Sequence, residues 1–413
     1  MSELFYRLRK THLIRIIEKS MLSMMPILMI GAYADVLATS FVSYDSWFIN
    51  VFNLTYKINE VFEVRTLAFL HAIQFATTGI SGLLLAYFIA SFTAKKRDGA
   101  GITAISVLLM LSFKNNLADN KTMPFKTTVL NYNFILFSLV VGLIVGYIFN
   151  RWGTDIADDF EERVWNIFKP IFISFVLAVI IAFAILMFKV KATNAVFDGL
   201  IKQLQNANDY VSDLIWYAFA IVLYLIGLPY PIQTLYSSSG SVQEMTNFNY
   251  ALLHNGSWKV PYRFLGSEIF TSYAGLMGLV ALALVITILL FSQFHRRRTI
   301  AILSLFPTIF GNPIGLFMGI AVFFNPVWIL GILSVSIVNI TVVTILIAIK
   351  FIPPLAYASL WGMPDILSPF VGTNGNWGAL LVTLVLLFVD VLIFKYWLKL
   401  DEKILRRVND EEK

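Results

Sequence analysis

No cysteine occurs in the 413 residues, so neither a disulfide nor a thiolate-bound metal can form. Histidine is almost as scarce: four are scattered along the chain without ligand spacing, so no metal site and no cofactor are expected. Charge is thin as well. Only 14% of residues are charged against 58% hydrophobic, with a mean hydropathy of +0.76. That leaves too little polar material to cover a soluble globule and implies a polytopic membrane protein. The net charge of +6 sits in basic loops beside apolar runs, where it reports topology and lipid contact and not nucleic-acid binding. No small-residue cleavage site follows the basic amphipathic segment Arg7 to Lys19, so the first helix is expected to be retained.

What is abundant is membrane-length apolar sequence. Runs near 20–42, 67–93, 133–150, 169–188, 266–293, 327–351 and 378–397 each reach the roughly 20 residues that cross a bilayer as helix. The run 101–113 is shorter, and 212–235 and 299–324 are interrupted by Gly227, Pro229, Pro231, Gly311 and Pro313. Interruptions free backbone groups that lipid cannot satisfy, so such segments belong where protein or a watery cavity encloses them. A substrate path is expected to pass through them. The fold class is therefore all-α and polytopic, with about ten transmembrane helices and a cytoplasmic amphipathic helix. Residues 155–168 supply that helix, with Asp155, Asp158, Asp159, Glu161 and Glu162 opposite Phe160, Val164, Trp165 and Phe168.

Lys and Arg set the orientation. Clusters at Arg7 to Lys19, Lys95 to Arg97, Arg296 to Arg298 and Lys395 to Lys399 flank four different spans. The positive-inside rule places all four, and both termini, in the cytoplasm.

Two segments carry a family resemblance. One reads Pro307-Thr-Ile-Phe-Gly-Asn-Pro-Ile-Gly-Leu-Phe-Met-Gly-Ile-Ala-Val-Phe-Phe-Asn325-Pro326; the other runs from Trp361 through Pro364, Leu367, Phe370 and Gly375 to Trp377 and Gly378. With Ser20 to Gly31, Gly101 to Phe113, Arg163 to Phe188 and the Pro353-Pro354 pair, they resemble the membrane subunit, enzyme IIC, of the bacterial phosphotransferase system, in its lactose/cellobiose/diacetylchitobiose family. The resemblance covers most of the chain. It implies a sugar permease of the bacterial inner membrane, a homodimer through an N-terminal scaffold (1–168), a transport-type domain (169–400) with two reentrant hairpins (about 223–263 and 299–324) and a charged cytoplasmic tail (401–413). It also implies a carbohydrate or related solute as ligand and a separate cytoplasmic IIB subunit or signalling protein as partner. The chain by itself would phosphorylate nothing.

The departures from that family pattern are specific. Leu223-Tyr-Leu-Ile-Gly227-Leu-Pro229-Tyr230 aligns Pro229 with the family's reactive His, and Phe310-Gly-Asn-Pro-Ile314-Gly aligns Ile314 with its Glu. Neither Pro nor Ile can hold or activate a sugar hydroxyl. Loss of the usual phosphotransfer chemistry follows, no catalytic residue is assigned, and the other expectation is a transport-inactive sensor or scaffold. In that second reading the tail Asp401 to Lys413 would dock a cytoplasmic partner. The substrate-binding candidates are Tyr230, Asn312, Pro313, Trp361 and Asn374. Asn312 offers an amide to a sugar hydroxyl or a cap to a half-helix, and Trp361 offers an indole face for stacking, whereas Trp377 reads as an interfacial anchor. His254, in Leu252-Leu-His-Asn-Gly-Ser257, reads as a loop residue. Among ionisable groups within or beside spans, Asp35 and Glu268 read as snorkelling to an interface, whereas Asp390 and His71 could support proton coupling.

Overall fold

The computed structural model describes residues 2–54, 59–95, 99–112, 130–132, 135–153, 160–187, 199, 210–228, 242–359 and 362–411, and their regular structure is helical. The first half comprises α1 (Ser2–Arg9), α2 (His12–Val36), α3 (Trp47–Val51), α4 (Glu60–Gln74), α5 (Ser81–Thr93), α6 (Ala100–Leu111), α7 (Ile135–Trp152) and α8 (Phe160–Met187). The second comprises α9 (Tyr210–Leu225), α10 (Val242–His254), α11 (Gly266–Ile269), α12 (Leu279–Phe291), α13 (His295–Ile309), α14 (Ile314–Gly319), α15 (Pro326–Ala348), α16 (Ser368–Gly372) and α17 (Trp377–Asp410). Wider π-helical turns extend α2 (Leu37–Val42), join α4 to α5 (Phe75–Gly79) and follow α11 (Phe270–Ala274).

Seven helical stretches among the described residues are long and apolar enough to cross a membrane: His12–Val42, Glu60–Thr93, Ile135–Trp152, Val164–Ala184, Gly266–Phe291, Pro326–Ala348 and Trp377–Val408. Each overlaps one of the seven runs expected from the sequence, and the expected total near ten adds α6, α9 and the broken α13–α14 segment. The molecule is a multi-pass, all-α membrane protein.

Lipid offers no hydrophobic drive between helices, so close approach has to come from small side chains. On α7, Gly142 and Gly146 lie one turn apart against α5. A methyl on Gly142 would stand 2.9 Å from the Ala86 carbonyl oxygen, and one on Gly146 would stand 3.0 Å from that of Ala90. Ala86, Ala90, Ala94, Ala100 and Ala104 continue this small-residue seam into α6. In the second half α12 is apolar all round and almost wholly buried, as expected for a helix surrounded by protein, with α13 and α17 packed on it. Peripheral α8 is the opposite, presenting Trp165, Phe172 and Phe183 outward.

Two segments differ from expectation. The amphipathic helix expected at 155–168 is, from Phe160 onward, continuous with the following span as one helix through Met187, Pro170 being tolerated within it; residues 154–159 lie outside the described residues. The charged tail is not a detached extension either. α17 runs unbroken to Asp410, and its Ile404 and Val408 pack with Phe5 and Tyr6 of α1 and with Val327. Asp401 and Glu402 are consequently buried, because the apolar positions at the heptad-like spacing 397, 400, 404 and 408 turn that face inward.

Candidate functional site

Three broken or widened helices meet around Asp35. It lies near the C-terminal end of α2, directly before the π-turn Leu37–Val42, and the Thr39 hydroxyl bonds back to the Asp35 carbonyl at 2.8 Å. Gln74 ends α4 and is likewise followed by a π-turn, where Thr77 and Thr78 bond back to the carbonyls of Ile73 (2.6 Å) and Gln74 (3.0 Å). Hydroxyls that bond back in this way compete with the regular ladder and favour its widening, a departure that recurs at functional sites.

The third element is the Gly-Asn-Pro break between α13 and α14. Gly311 adopts φ +80, which a side chain would resist, and this reversal lets the Asn312 amide N–H reach the Pro307 carbonyl at 2.9 Å. The Asn312 side chain is thereby aimed at α2. Its Nδ2 donates to Asp35 Oδ2 at 2.7 Å, Gln74 Nε2 donates to Asp35 Oδ1 at 2.8 Å, and His71 Nδ1 lies 3.1 Å from Gln74 Oε1. A carboxylate is thus held by two neutral amides at the junction of two π-turns and a broken helix.

The Trp/Pro/Gly-rich loop closes this junction from another side. Gly362, at φ +68, lies so close to the α2 π-turn that a Cβ there would stand 2.5 Å from the Thr39 carbonyl oxygen. Three residues on, the Asp365 carboxyl rests against Gly311 and Gly278: a methyl at Gly311 would stand 2.9 Å from Asp365 Oδ2. That oxygen is buried without a hydrogen-bond partner among the described residues, and burial pushes the Asp365 carboxyl up to about 8. Aromatic rings line the same region. Phe41 of the π-turn contacts Phe306 (6.1 Å between ring centres) and Phe310 (5.2 Å), and Tyr33 stacks on Phe306 at 5.5 Å. Polar groups framed by aromatic surface can bind a ligand that has both hydroxyls and an apolar face.

The sequence candidates distribute as follows. Asn312 and Pro313 stand in the cluster, Pro313 as the residue that opens α14. Asn374 is exposed in a turn at φ +59, its backbone N–H donating to the Val371 carbonyl, away from the cluster. Tyr230, Trp361 and Pro229 lie outside the described residues. Ile314 is 2% exposed in the main core, so the position aligned with the family's Glu is apolar in its surroundings too. Trp377 is 74% exposed and packs on Phe370 at the start of α17. His254 stacks on Tyr250 and bonds the carbonyl of that residue in its own helix at 2.9 Å, an end-of-helix role. Asp390 is fully buried elsewhere, accepting from Asn339 Nδ2 at 2.9 Å. Glu268 is half-buried in α11, next to the Ser267 hydroxyl that donates to Glu244 at 2.6 Å.

Sequence reasoning passed over Gln74 and Asp365 and set Asp35 aside as interfacial. The available signal was the repeated pattern of one polar residue late in an apolar span followed within five positions by a Thr-Ser or Thr-Thr pair, at Asp35/Thr39/Ser40 and at Gln74/Thr77/Thr78.

Fold and site together define a membrane protein with a polar, aromatic-rimmed junction built on discontinuous helices. No family model matches the chain, and no curated protein matches it. Among solved structures it is similar to one described as the transporter ChbC, the IIC component from the N,N'-diacetylchitobiose-specific phosphotransferase system, at 16% identity and a TM-score of 0.42, over 98% of this chain and 96% of that one.

Proposed function

We propose that the chain is a sugar-permease-like membrane protein that binds a disaccharide or related polar solute at the Asp35–Asn312 junction and moves it across the bacterial inner membrane without the usual phosphotransfer chemistry. The observation that carries this reading is the Asp35 carboxylate, held among the described residues by the Asn312 and Gln74 amides. All three groups can exchange their mutual hydrogen bonds for bonds to sugar hydroxyls, and the nearby Phe41, Phe306 and Tyr33 rings suit a sugar's apolar face. The motif resemblance at 307–326 and 361–378 supports the same reading. Ile314, in the apolar core, offers no group to activate a hydroxyl.

With this reading go the remaining expectations from the sequence: a homodimer through the 1–168 scaffold, a 169–400 transport unit, both termini cytoplasmic and a separate IIB partner. A sensor using the tail as a free docking helix is the less favoured reading, since that tail spends its apolar face on α1. The test is equilibrium binding of a saccharide panel (cellobiose, lactose, chitobiose and their monosaccharides) to the full chain in lipid nanodiscs, with vesicle uptake measured with and without a phosphorylated IIB subunit. Saturable binding and entry of unmodified sugar are expected. Entry only as sugar phosphate would overturn the loss of phosphotransfer chemistry, and no binding by a folded protein would overturn the solute assignment.

A further inference from the structure

At the basic end of the bundle lies a second feature, distinct from the Asp35 junction. A cavity of about 900 Å³ opens where α1, α2, α5, α13 and the end of α17 converge. Among the described residues six cationic side chains line it, Arg9, Arg15, Lys19, Lys95, Arg296 and Arg297, with Glu18 as the one carboxylate.

A positive-inside bias alone places Lys and Arg near span ends, where they fan out into water. Here they come from four separate elements and face one concavity. Like charges gathered this way repel unless anions intervene. The carboxylates behind the wall intervene only in part. Arg9 gives Nη1 to Asp401 (2.6 Å) and Nη2 to Glu18 (2.8 Å), and Arg297 pairs with the other oxygen of Asp401 and approaches Glu402 at 3.8 Å. Both guanidinium groups are more than nine-tenths buried, and each keeps one nitrogen, Arg9 Nε and Arg297 Nη1, without a hydrogen-bond acceptor among the described residues. Lys19 and Lys95 have no carboxylate partner among the described ion pairs; Lys19 Nζ sits 4.5 Å over the Phe92 ring, which orients it without neutralising it. Lys95 is held at φ +55 just past the end of α5, a conformation unusual for a lysine, and it too lines the cavity.

Cationic groups gathered around one concavity favour an anion over a neutral ligand, and the exposed Arg296 guanidinium and the Lys19 and Lys95 ammonium groups can share the several oxygens of a phosphoryl group. We propose that this cavity is a binding site for a phosphoryl group, carried either by a soluble phosphomonoester or by the headgroup of an anionic lipid. Glu18 limits its affinity, and ionic strength weakens it.

The experiment uses the full chain in nanodiscs of zwitterionic lipid only. One arm titrates inorganic phosphate and glycerol 3-phosphate calorimetrically, with glycerol as the neutral control; the other adds phosphatidylglycerol and counts retained lipids by native mass spectrometry. Both compare wild type with the variant Lys19→Gln/Lys95→Gln/Arg296→Gln, whose three residues are exposed and absent from the Asp401 ion pairs. Saturable binding of the soluble phosphates, at least tenfold weaker in the variant, supports the site with a soluble ligand. Selective loss of retained phosphatidylglycerol in the variant supports it with a lipid ligand. Absence of both, or binding unchanged by the variant, overturns the proposal. Should the triple variant not fold, Arg296→Gln alone is predicted to weaken binding severalfold, and no change would be equally decisive.

Discussion

Two carboxylates organise this molecule, and they are held in opposite ways. Asp401, fully buried at the basic end, is clamped between Arg9 and Arg297 and accepts a further bond from Asn325 Nδ2 at 3.3 Å. Asp35, half-buried beside the Gly-Asn-Pro break, is held among the described residues by the amides of Asn312 and Gln74. The first arrangement ties sequence positions 9, 297, 325 and 401 together, so it joins both ends of the chain to the second half of the bundle. Its charges are mutually committed. The second has no ion pair among the described residues, and each amide can turn about its own axis to present either oxygen or nitrogen. Ion pairs of the first kind make architecture; amide-held carboxylates of the second kind leave hydrogen-bonding capacity for a ligand.

Substitutions at the two sites should therefore separate stability from binding. The largest expected effect is from Asp401→Asn. Removing the shared anion leaves two buried guanidinium groups facing each other, a loss of about 3–5 kcal/mol by analogy with broken buried pairs. A marked fall in the thermal midpoint of the detergent-solubilised protein checks this. Asp35→Asn should behave otherwise: amide rotation at Asn312 or Gln74 restores the hydrogen bonds, so stability is predicted to change by less than about 1 kcal/mol, while saccharide affinity falls at least tenfold. Equal loss of stability at both positions would erase the contrast.

Asp365 sharpens it through pH. Its carboxyl is raised from the usual 3.8 to about 8, so the folded protein holds a proton that the unfolded chain releases above about pH 4. The stabilisation is thus fully present below about pH 4 and is lost as pH rises through about 8. Thermal midpoints of wild type are predicted to fall between pH 5 and pH 9 by more than those of Asp365→Asn, with identical slopes counting against the assignment. The smallest effect is expected at Trp377→Ala. That exposed ring touches neither carboxylate cluster, and stability should move by no more than about 0.5 kcal/mol with binding unchanged. Loss of saccharide binding in this variant would move the solute site toward α17.

Much of the architecture was legible because the bilayer imposes it. Apolar runs of sufficient length had to become spans, and the Gly311–Pro313 interruption had to become a break enclosed by protein. The site was legible only in half. Asn312 stood out as a polar residue beside a proline within an apolar segment, but its partner Asp35 lies 277 positions away, and the Thr39-Ser40 pair that follows Asp35 signals a widened turn without saying which element its carboxylate meets. The same holds for Asp401: a mixed-charge C-terminal segment reads as solvated until α1 is seen to cover Ile404 and Val408. Pairings across hundreds of residues are set by helix packing, and helix periodicity carries no record of which helix is the neighbour.

The most direct test of the solute junction is the affinity of the full chain in nanodiscs for its tightest-binding saccharide, compared between wild type and Asn312→Ala. The amide lost in that variant links the Gly-Asn-Pro break to Asp35, so affinity should drop tenfold or more while the thermal midpoint shifts by a few degrees at most. An unchanged affinity in a folded Asn312→Ala protein would contradict the assignment of the Asp35–Asn312 junction as the place where the solute binds.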